Sequence, residues 1–207
     1  MFHGILYIVK GIQMFDRYAF WKNPGFSNEP QYIKDMCVPE FYLGLGEITD
    51  LVVETLSKYL GFEDSILELG CGTGRNLAGL KSAGFKNLSG IEINMDAIKL
   101  GVRSFDLDGV KIKCSTVEEA EFVRSDCIFT QGLLQHLPPE SDLIHWVMSK
   151  KARKIIMVIE NESPVGVRSW GRDYKDIFEG LGWKEVESLS NTGLYGHAPT
   201  TTMRVFK

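Results

Sequence analysis

Cysteine is scarce in this chain of 207 residues, and a basic excess is missing. The four cysteines, at positions 37, 71, 114 and 127, form no CxxC pair and have no histidine-rich neighbourhood. This spacing excludes a dense disulfide framework and disfavours a zinc site, so we expect reduced thiols in a cytoplasmic protein. The chain has 23 basic and 27 acidic residues and a net charge of −4. Because proteins that depend on phosphate contacts usually carry a basic excess, nucleic acid is disfavoured as the main partner.

Long hydrophobic runs are missing as well. The mildly apolar start of the chain is interrupted by Lys10 and is followed by no small-residue cleavage site. It is also too short to cross a bilayer, so we expect neither a signal peptide nor a membrane partner. Hydrophobic residues make up 44% of the chain and charged residues 24%, which is typical of a globular domain.

Two regions of the chain differ in pattern. Residues 1–46 interleave aromatic residues with turn formers such as Asn23-Pro24-Gly25 and have no long apolar periodicity. We interpret them as an irregular, partly helical arm that either packs on a core or covers a pocket as a lid. In residues 47–207, short apolar runs alternate with helical stretches and end in a closing strand pair. This alternation predicts an α/β domain with a mostly parallel sheet.

The sharpest local signal is a glycine-rich turn between a strand predicted at 65–69 and a helix predicted from Arg75 to Ala83. The segment reads Glu68-Leu69-Gly70-Cys71-Gly72-Thr73-Gly74. Glycine permits positive φ and a close approach of a ligand to the backbone. The carboxyl end of the first strand is the usual ligand position in open α/β sheets. A dinucleotide fingerprint does not fit, because Arg75 stands where its third glycine belongs, and the Gly-Lys-Ser/Thr of a P-loop is missing.

This E-x-G-x-G-x-G segment resembles the cofactor loop of the class I S-adenosylmethionine-dependent methyltransferases. Two other segments are similar to that family. Glu92 ends the second predicted strand, eighteen residues after Gly74, near the spacing of about 20 that places an acid on a ribose. After the fourth strand comes a His-Leu-Pro-Pro tail at 136–139, which resembles small-molecule methyltransferases. The Asn/Asp-Pro-Pro-Tyr/Phe clamp of base and amide N-methyltransferases is absent from 130–133.

The resemblance implies a doubly wound sheet of seven strands with helices on both faces, an antiparallel last strand pair and S-adenosylmethionine as cofactor. It implies that Glu68 binds the methionine end, that Glu92 binds the ribose and that Gln131 lies near the methyl group. Ser115 stands where many relatives carry an adenine-binding acid, so either Ser115 with the Val117 backbone holds the adenine or Glu118 reaches it. The predicted cofactor-binding residues are Glu68, Gly70, Cys71, Gly72, Gly74, Asn76, Glu92, Ile93, Ser115, Thr116, Val117 and Gln131.

The candidate catalytic residues are two histidines. His136 is the first candidate for a general base, because imidazole titrates near neutral pH, although a purely structural role stays open. His197, in a loop between the last two predicted strands, is the rival. The predicted substrate-binding residues are Tyr18, Trp21, Glu160, Arg172 and Tyr174. No Asp/Asp/Asn cluster of the catechol type is evident, so we expect no metal.

These observations predict methyl transfer from S-adenosylmethionine to a small polar metabolite, for which a sugar is one example. The domain prediction is an arm or lid at 1–46 and a cofactor-binding methyltransferase domain at 47–207. Two alternatives stay open: a protein or RNA methyltransferase, and a catalytically silent cofactor-binding subunit. The acceptor atom and the oligomeric state are left open by the sequence.

Overall fold

A seven-stranded sheet forms the centre of the protein. The computed structural model describes residues 17–24, 31, 35, 37–44, 46–163, 169–190 and 201–207. The strands are β1 Ser65–Leu69, β2 Asn87–Glu92, β3 Lys111–Cys114, β4 Ser125–Gln131, β5 Ala152–Asn161, β6 Glu185–Ser190 and β7 Thr201–Phe206. Their order in the sheet is β3-β2-β1-β4-β5-β7-β6. Strands β1 to β5 are parallel, and β7 is antiparallel to both β5 and β6. The predicted fold class is therefore confirmed.

Six described α-helices surround or approach the sheet. They are α1 Arg17–Lys22, α2 Gly46–Ser57, α3 Arg75–Ser82, α4 Met95–Ser104, α5 Leu143–Lys151 and α6 Tyr174–Gly180. Short 3₁₀ turns lie at Pro39–Gly44, Leu134–His136 and Pro139–Ser141. The helix predicted at 140–150 is thus divided, because the fixed φ of Pro139 starts a separate turn before α5 begins. No helix of the described residues has both the length and the apolar character that a bilayer span requires.

The hydrophobic core lies on both faces of the sheet. On one face, Met157 of β5 belongs to a cluster that includes Val52 of α2 and Leu77 of α3. On the other face, Ile156 belongs to a cluster that includes Phe178 of α6. Successive residues of a strand point to opposite faces, so a strand that is buried on both sides is apolar throughout. This explains the continuous apolar run of β5.

The order of the strands creates a crevice at one edge of the sheet. The chain goes from β1 outward to β2 and β3, then returns to place β4 on the other side of β1. In open α/β sheets, ligands bind where the order reverses, outside the carboxyl ends of the strands. The carboxyl ends of β1, β2 and β4 lead here to Gly70, Asn94 and Gly132, respectively.

Candidate active site

The three glycines after β1 have the same backbone conformation but different surroundings. Gly70, Gly72 and Gly74 have φ values of 70°, 55° and 72°. A Cβ atom would lie 3.0 Å from Leu133 at Gly70 and 3.1 Å from Leu107 at Gly74, whereas at Gly72 no atom of the described residues lies within 4 Å. Gly70 and Gly74 therefore allow close packing inside the protein, while Gly72 faces open space. Gly70 and Gly72 line the cavity described below, and Gly74 does not.

Glu92 holds the glycine loop from the neighbouring strand. Its Oε2 accepts a hydrogen bond of 2.8 Å from the Gly72 amide, and its Oε1 accepts one of 2.8 Å from the Asn94 amide. Burial raises the pKa of the Glu92 carboxyl, and the backbone amides partly oppose this shift. The Asn94 side chain in turn caps α4 by accepting from the amides of Asp96 and Ala97. The end of β2 is thus fixed against the loop that follows β1.

Glu68 is a buried carboxyl with one oxygen left without a partner. Its Oε1 accepts a hydrogen bond of 2.8 Å from Asn76 Nδ2, but its Oε2 has no hydrogen-bond partner among the described residues. Asn76 Nδ2 also lies 2.8 Å from Gln131 Oε1. Burial raises the pKa of Glu68 to about 8, although Asn76 and the charge of Arg75 oppose the shift. A cationic ligand group at the free oxygen would restore the ionised carboxylate.

Arg75 is a site residue that the sequence analysis missed. Its guanidinium donates to Thr49 Oγ1 of α2 at 2.8 Å, to the Tyr42 carbonyl at 2.7 Å and to Gln131 Oε1 at 3.0 Å. It thereby joins the end of the arm, α2 and the end of β4 beside the cavity. One signal was available in the sequence: a basic residue at the first position of a helix is electrostatically unfavourable and calls for another role.

Most of the predicted cofactor-binding residues line one cavity. It has a volume of about 1080 Å³, including its open mouth. Eleven of the twelve predicted residues line it, namely Glu68, Gly70, Cys71, Gly72, Asn76, Glu92, Ile93, Ser115, Thr116, Val117 and Gln131. Lining residues not predicted as cofactor ligands include Thr73, Arg75 and Asn94. Thr73 Oγ1 is a further buried polar atom that has no partner.

The end of the cavity after β3 leaves both readings of the adenine contact open. Ser115 and Glu118 both line this end. Glu118 Oε1 accepts hydrogen bonds from Ser141 Oγ at 2.9 Å and from Tyr18 Oη at 3.4 Å. Both residues therefore lie where either reading places the adenine contact.

Helix α1 of the arm lies across the carboxyl edge of the sheet. Tyr18 contacts Glu118, which follows β3, and Trp21 contacts His136, which follows β4. Strands β2 and β1 lie between β3 and β4 in the sheet. Helix α1 thus contacts the segments that follow both β3 and β4. Tyr18 and Trp21 line the same cavity as Gly72 and Glu92.

His136 lines the cavity. The centre of its ring is 4.7 Å from that of Trp21, with an angle of 51° between the planes. Its Nε2 lies 3.1 Å from Nε2 of Gln135. This placement allows the imidazole to reach a ligand inside the cavity. The rival base, His197, lies outside the described residues.

Glu160, Arg172 and Tyr174 do not line the cavity, in contrast to the substrate contacts expected of them. Glu160 is fully buried and accepts from Thr130 Oγ1 and the Leu133 amide at 2.8 and 3.0 Å. The chain turns back after β4, and the backbone amides of this turn require a buried acceptor. The Glu160 carboxylate is that acceptor.

Arg172 and Tyr174 have internal contacts instead. Arg172 donates to the carbonyls of Leu134 and Leu137 at 2.9 and 2.6 Å, so it braces the turn that carries His136. Tyr174 is buried, and its ring lies 6.0 Å from that of His145. Burial raises the pKa of the Tyr174 hydroxyl above its ordinary value. Both residues therefore support the structure around the site and do not line the cavity.

The carboxylate acceptors and the open space of the cavity fit S-adenosylmethionine. The free oxygen of Glu68 suits an ammonium group, the carboxylate of Glu92 suits ribose hydroxyls, and the open space at Gly72 admits a chain close to the backbone. The described part of the chain holds no group of three or more His, Cys, Asp or Glu side chains arranged for an ion.

Comparison with known proteins agrees with this geometry. Residues 66–149 match the family model of a methyltransferase domain. No curated protein matches the chain significantly by sequence. Among solved structures, magnesium protoporphyrin IX methyltransferase from Synechocystis with bound S-adenosylhomocysteine is similar, with a TM-score of 0.66, 14% identity, and coverage of 92% of this chain and 98% of that chain.

A second similar structure is 1,6-didemethyltoxoflavin-N1-methyltransferase from Burkholderia thailandensis, with bound 1,6-didemethyltoxoflavin and S-adenosylhomocysteine. Its TM-score is 0.66 at 13% identity, and the match covers 96% of this chain and 92% of that chain. At such identities the structural similarity concerns the fold. Joined with the family match over β1 to α5, it shows that the chain has the fold of the class I methyltransferases and that residues 66–149 are similar to a methyltransferase domain.

Proposed function

We propose that this enzyme transfers a methyl group from S-adenosylmethionine to a small polar metabolite. The observation that carries the proposal is that Glu68, Gly72 and Glu92, from the ends of two adjacent strands, line one cavity over which α1 lies. An arm that narrows the entrance favours an acceptor of metabolite size. The two similar structures described above are named for small-molecule acceptors, which supports the same class.

Each part of the cavity has a task in this proposal. When bound, S-adenosylmethionine supplies an electrophilic methyl group on a sulfonium. Glu68 holds the ammonium of the methionine end, and Glu92 holds the ribose. Tyr18 and Trp21 keep water from the reacting atoms. His136 accepts the proton that an O–H or N–H acceptor must lose.

The domain and location assignments belong to the same proposal. Residues 1–46 act as the arm that covers the site, and residues 47–207 form the catalytic domain. All four cysteines, Cys37, Cys71, Cys114 and Cys127, are free thiols in the structure. Free thiols, two of them buried, suit a reducing compartment, so we assign the enzyme to the cytoplasm.

Two measurements test the proposal. Isothermal titration calorimetry with S-adenosylhomocysteine should show one binding site. A panel of hydroxyl- and amine-bearing metabolites, incubated with S-adenosylmethionine, should then give S-adenosylhomocysteine with at least one of them. Binding without turnover on the panel, but with turnover on RNA or protein, would support the macromolecular alternative. Binding without turnover on any substrate would support a silent subunit.

A further inference from the structure

The outer half of the cavity differs in chemistry from the inner half. We define the outer half by the described lining residues of the arm and of the turn after β4. These are Tyr18, Trp21, Cys37, Pro39, Tyr42, Gly132, Leu133, His136 and Leu137. The inner half, formed by the strand ends and the glycine loop, contains Glu68, Glu92 and Asn94. Aromatic and apolar residues thus make up most of the outer half.

The polar groups near the outer half already have partners. The Tyr18 hydroxyl donates to Glu118, and His136 Nε2 lies within hydrogen-bond distance of Gln135. Arg75 is only 8% exposed and donates to four acceptors in the protein, namely Thr49, the Tyr42 carbonyl, Asn76 and Gln131. A sugar would bring several hydroxyl groups into this space. Buried hydroxyls without partners are unfavourable, so the outer half disfavours such an acceptor.

The contact between Trp21 and His136 indicates which chemical class of ligand the outer half binds. The indole already holds a flat heteroaromatic ring, the imidazole, at a centroid distance of 4.7 Å. Aromatic faces prefer other rings at such distances because edge and face charges complement each other. Tyr18 and Tyr42 add two more aromatic side chains to the same half.

From these observations we infer that the acceptor is a planar aromatic or heteroaromatic compound with an O–H or N–H group at its edge. The ring lies against Trp21, and its edge group reaches His136. This inference rests on the proposed function and specifies its substrate class. It narrows the small polar metabolite to flat rings and removes sugars from that class.

The test compares two alcohols that differ in flatness but share a carbon skeleton. Protein saturated with S-adenosylhomocysteine is titrated with 2-naphthol, with decahydro-2-naphthol and with methyl α-D-glucopyranoside. We expect 2-naphthol to bind about tenfold more tightly than its saturated analogue, as one ring contact is worth roughly that factor. The glucoside should bind more weakly than 2-naphthol.

Three variants test whether Trp21 causes the preference for a flat ring. Trp21→Ala should weaken 2-naphthol binding by about tenfold and remove the preference for the flat ring. Trp21→Phe should retain the preference. Trp146→Ala, on the half-exposed indole of α5 outside the cavity, serves as the matched control and should change nothing.

The outcomes separate the two proposals. A protein that does not bind S-adenosylhomocysteine overturns the proposed function itself. A protein that binds S-adenosylhomocysteine, but binds 2-naphthol no more tightly than either other alcohol, overturns only the planar acceptor. An unchanged preference in Trp21→Ala also overturns it, because another surface would then select the ring.

Discussion

The Gly72 amide donates a 2.8 Å hydrogen bond to Oε2 of Glu92. The open face of the glycine loop and the acid of the neighbouring strand are therefore one unit. In the proposed function, Glu92 orients the loop that approaches the cofactor, and the loop amide in turn holds the carboxylate in position for the ribose. A change at either residue should affect both the shape of the loop and the affinity for the cofactor.

Gly72→Val should abolish binding of S-adenosylhomocysteine and leave the fold largely intact. The new side chain would enter space that holds no protein atom within 4 Å of the Cβ position and that the cofactor requires. Calorimetry measures the affinity, and circular dichroism checks the fold. Gly109→Val is the matched control, because Gly109 also has a positive φ of 78° and open surroundings but lies outside the cavity. It should have similar backbone strain and normal affinity; normal affinity in Gly72→Val itself would refute the cofactor site.

Glu92→Ala should weaken S-adenosylhomocysteine binding by roughly 2 to 4 kcal/mol, because charge-assisted hydrogen bonds to the ribose are lost and water recovers part of them. Thermal unfolding should also show a lower stability, since the amides of Gly72 and Asn94 lose their acceptor. Glu92→Gln should be milder, because it keeps one acceptor oxygen. The control is Glu187→Ala, which removes contacts with Lys58 and Tyr59 at the sheet edge and should leave affinity unchanged. Wild-type affinity in Glu92→Ala would show that the end of β2 does not bind the ribose.

Glu68→Gln should become progressively more stable than the wild type as pH rises from 5 to 8. Burial raises the pKa of Glu68 in the folded protein from 4.5 to about 8. Between these values the folded state keeps a proton that the unfolded chain has released, so wild-type stability falls with rising pH. The difference should grow by up to about 1.4 kcal/mol per pH unit. Urea unfolding at three pH values measures it.

The control for this pH effect is Glu187→Gln. Its contact with Lys58 lowers the pKa of Glu187 in the folded state. That contribution to stability is present above the unfolded pKa and disappears only as pH falls through the folded pKa. The loss in Glu187→Gln should therefore be nearly constant between pH 5 and 8. Parallel stability profiles for Glu68→Gln and the wild type would show that the Glu68 pKa is not raised.

Binding of S-adenosylhomocysteine at pH 7 should release about one proton per molecule bound. The raised pKa keeps Glu68 protonated before binding, and the ligand ammonium at the free oxygen would stabilise the carboxylate. Calorimetry in buffers of different ionisation enthalpy counts the protons. In Glu68→Gln the release should disappear. Equal release in both proteins would place the ammonium elsewhere.

Helix α1 should exchange its amide hydrogens more slowly when S-adenosylhomocysteine is bound. Its contacts with Glu118 and His136 hold it over the carboxyl edge of the sheet, so a ligand beneath it would restrict its opening. Deletion of residues 1–30 should weaken cofactor binding and abolish transfer. Amides of β6, at the far edge of the sheet, serve as the internal reference. If the exchange rates of the α1 amides do not change when the ligand binds, the arm is a packing extension and not a lid.

Local sequence patterns determined the sheet, the glycine loop and the position of Glu92. Each of these depends on neighbours along the chain: an apolar run makes a buried strand, and glycines at alternate positions permit the positive φ values that Gly70, Gly72 and Gly74 adopt. The mostly parallel sheet followed from the alternation of strands and helices, and the family resemblance added seven strands with an antiparallel last pair. The carboxyl ends of the strands then had to meet at one edge.

Contacts between distant parts of the chain were decided by the tertiary structure alone. Arg75 reaches Tyr42, and Tyr18 reaches Glu118 from 100 positions away. Glu160 and Arg172 follow strand and loop patterns that suggest a ligand edge, yet their charges satisfy backbone groups of the turn that carries His136. A sequence pattern shows that a charged residue ends a strand or begins a helix. Which buried amide or carbonyl needs that charge depends on how the chain folds back, and only the packed structure contains that information.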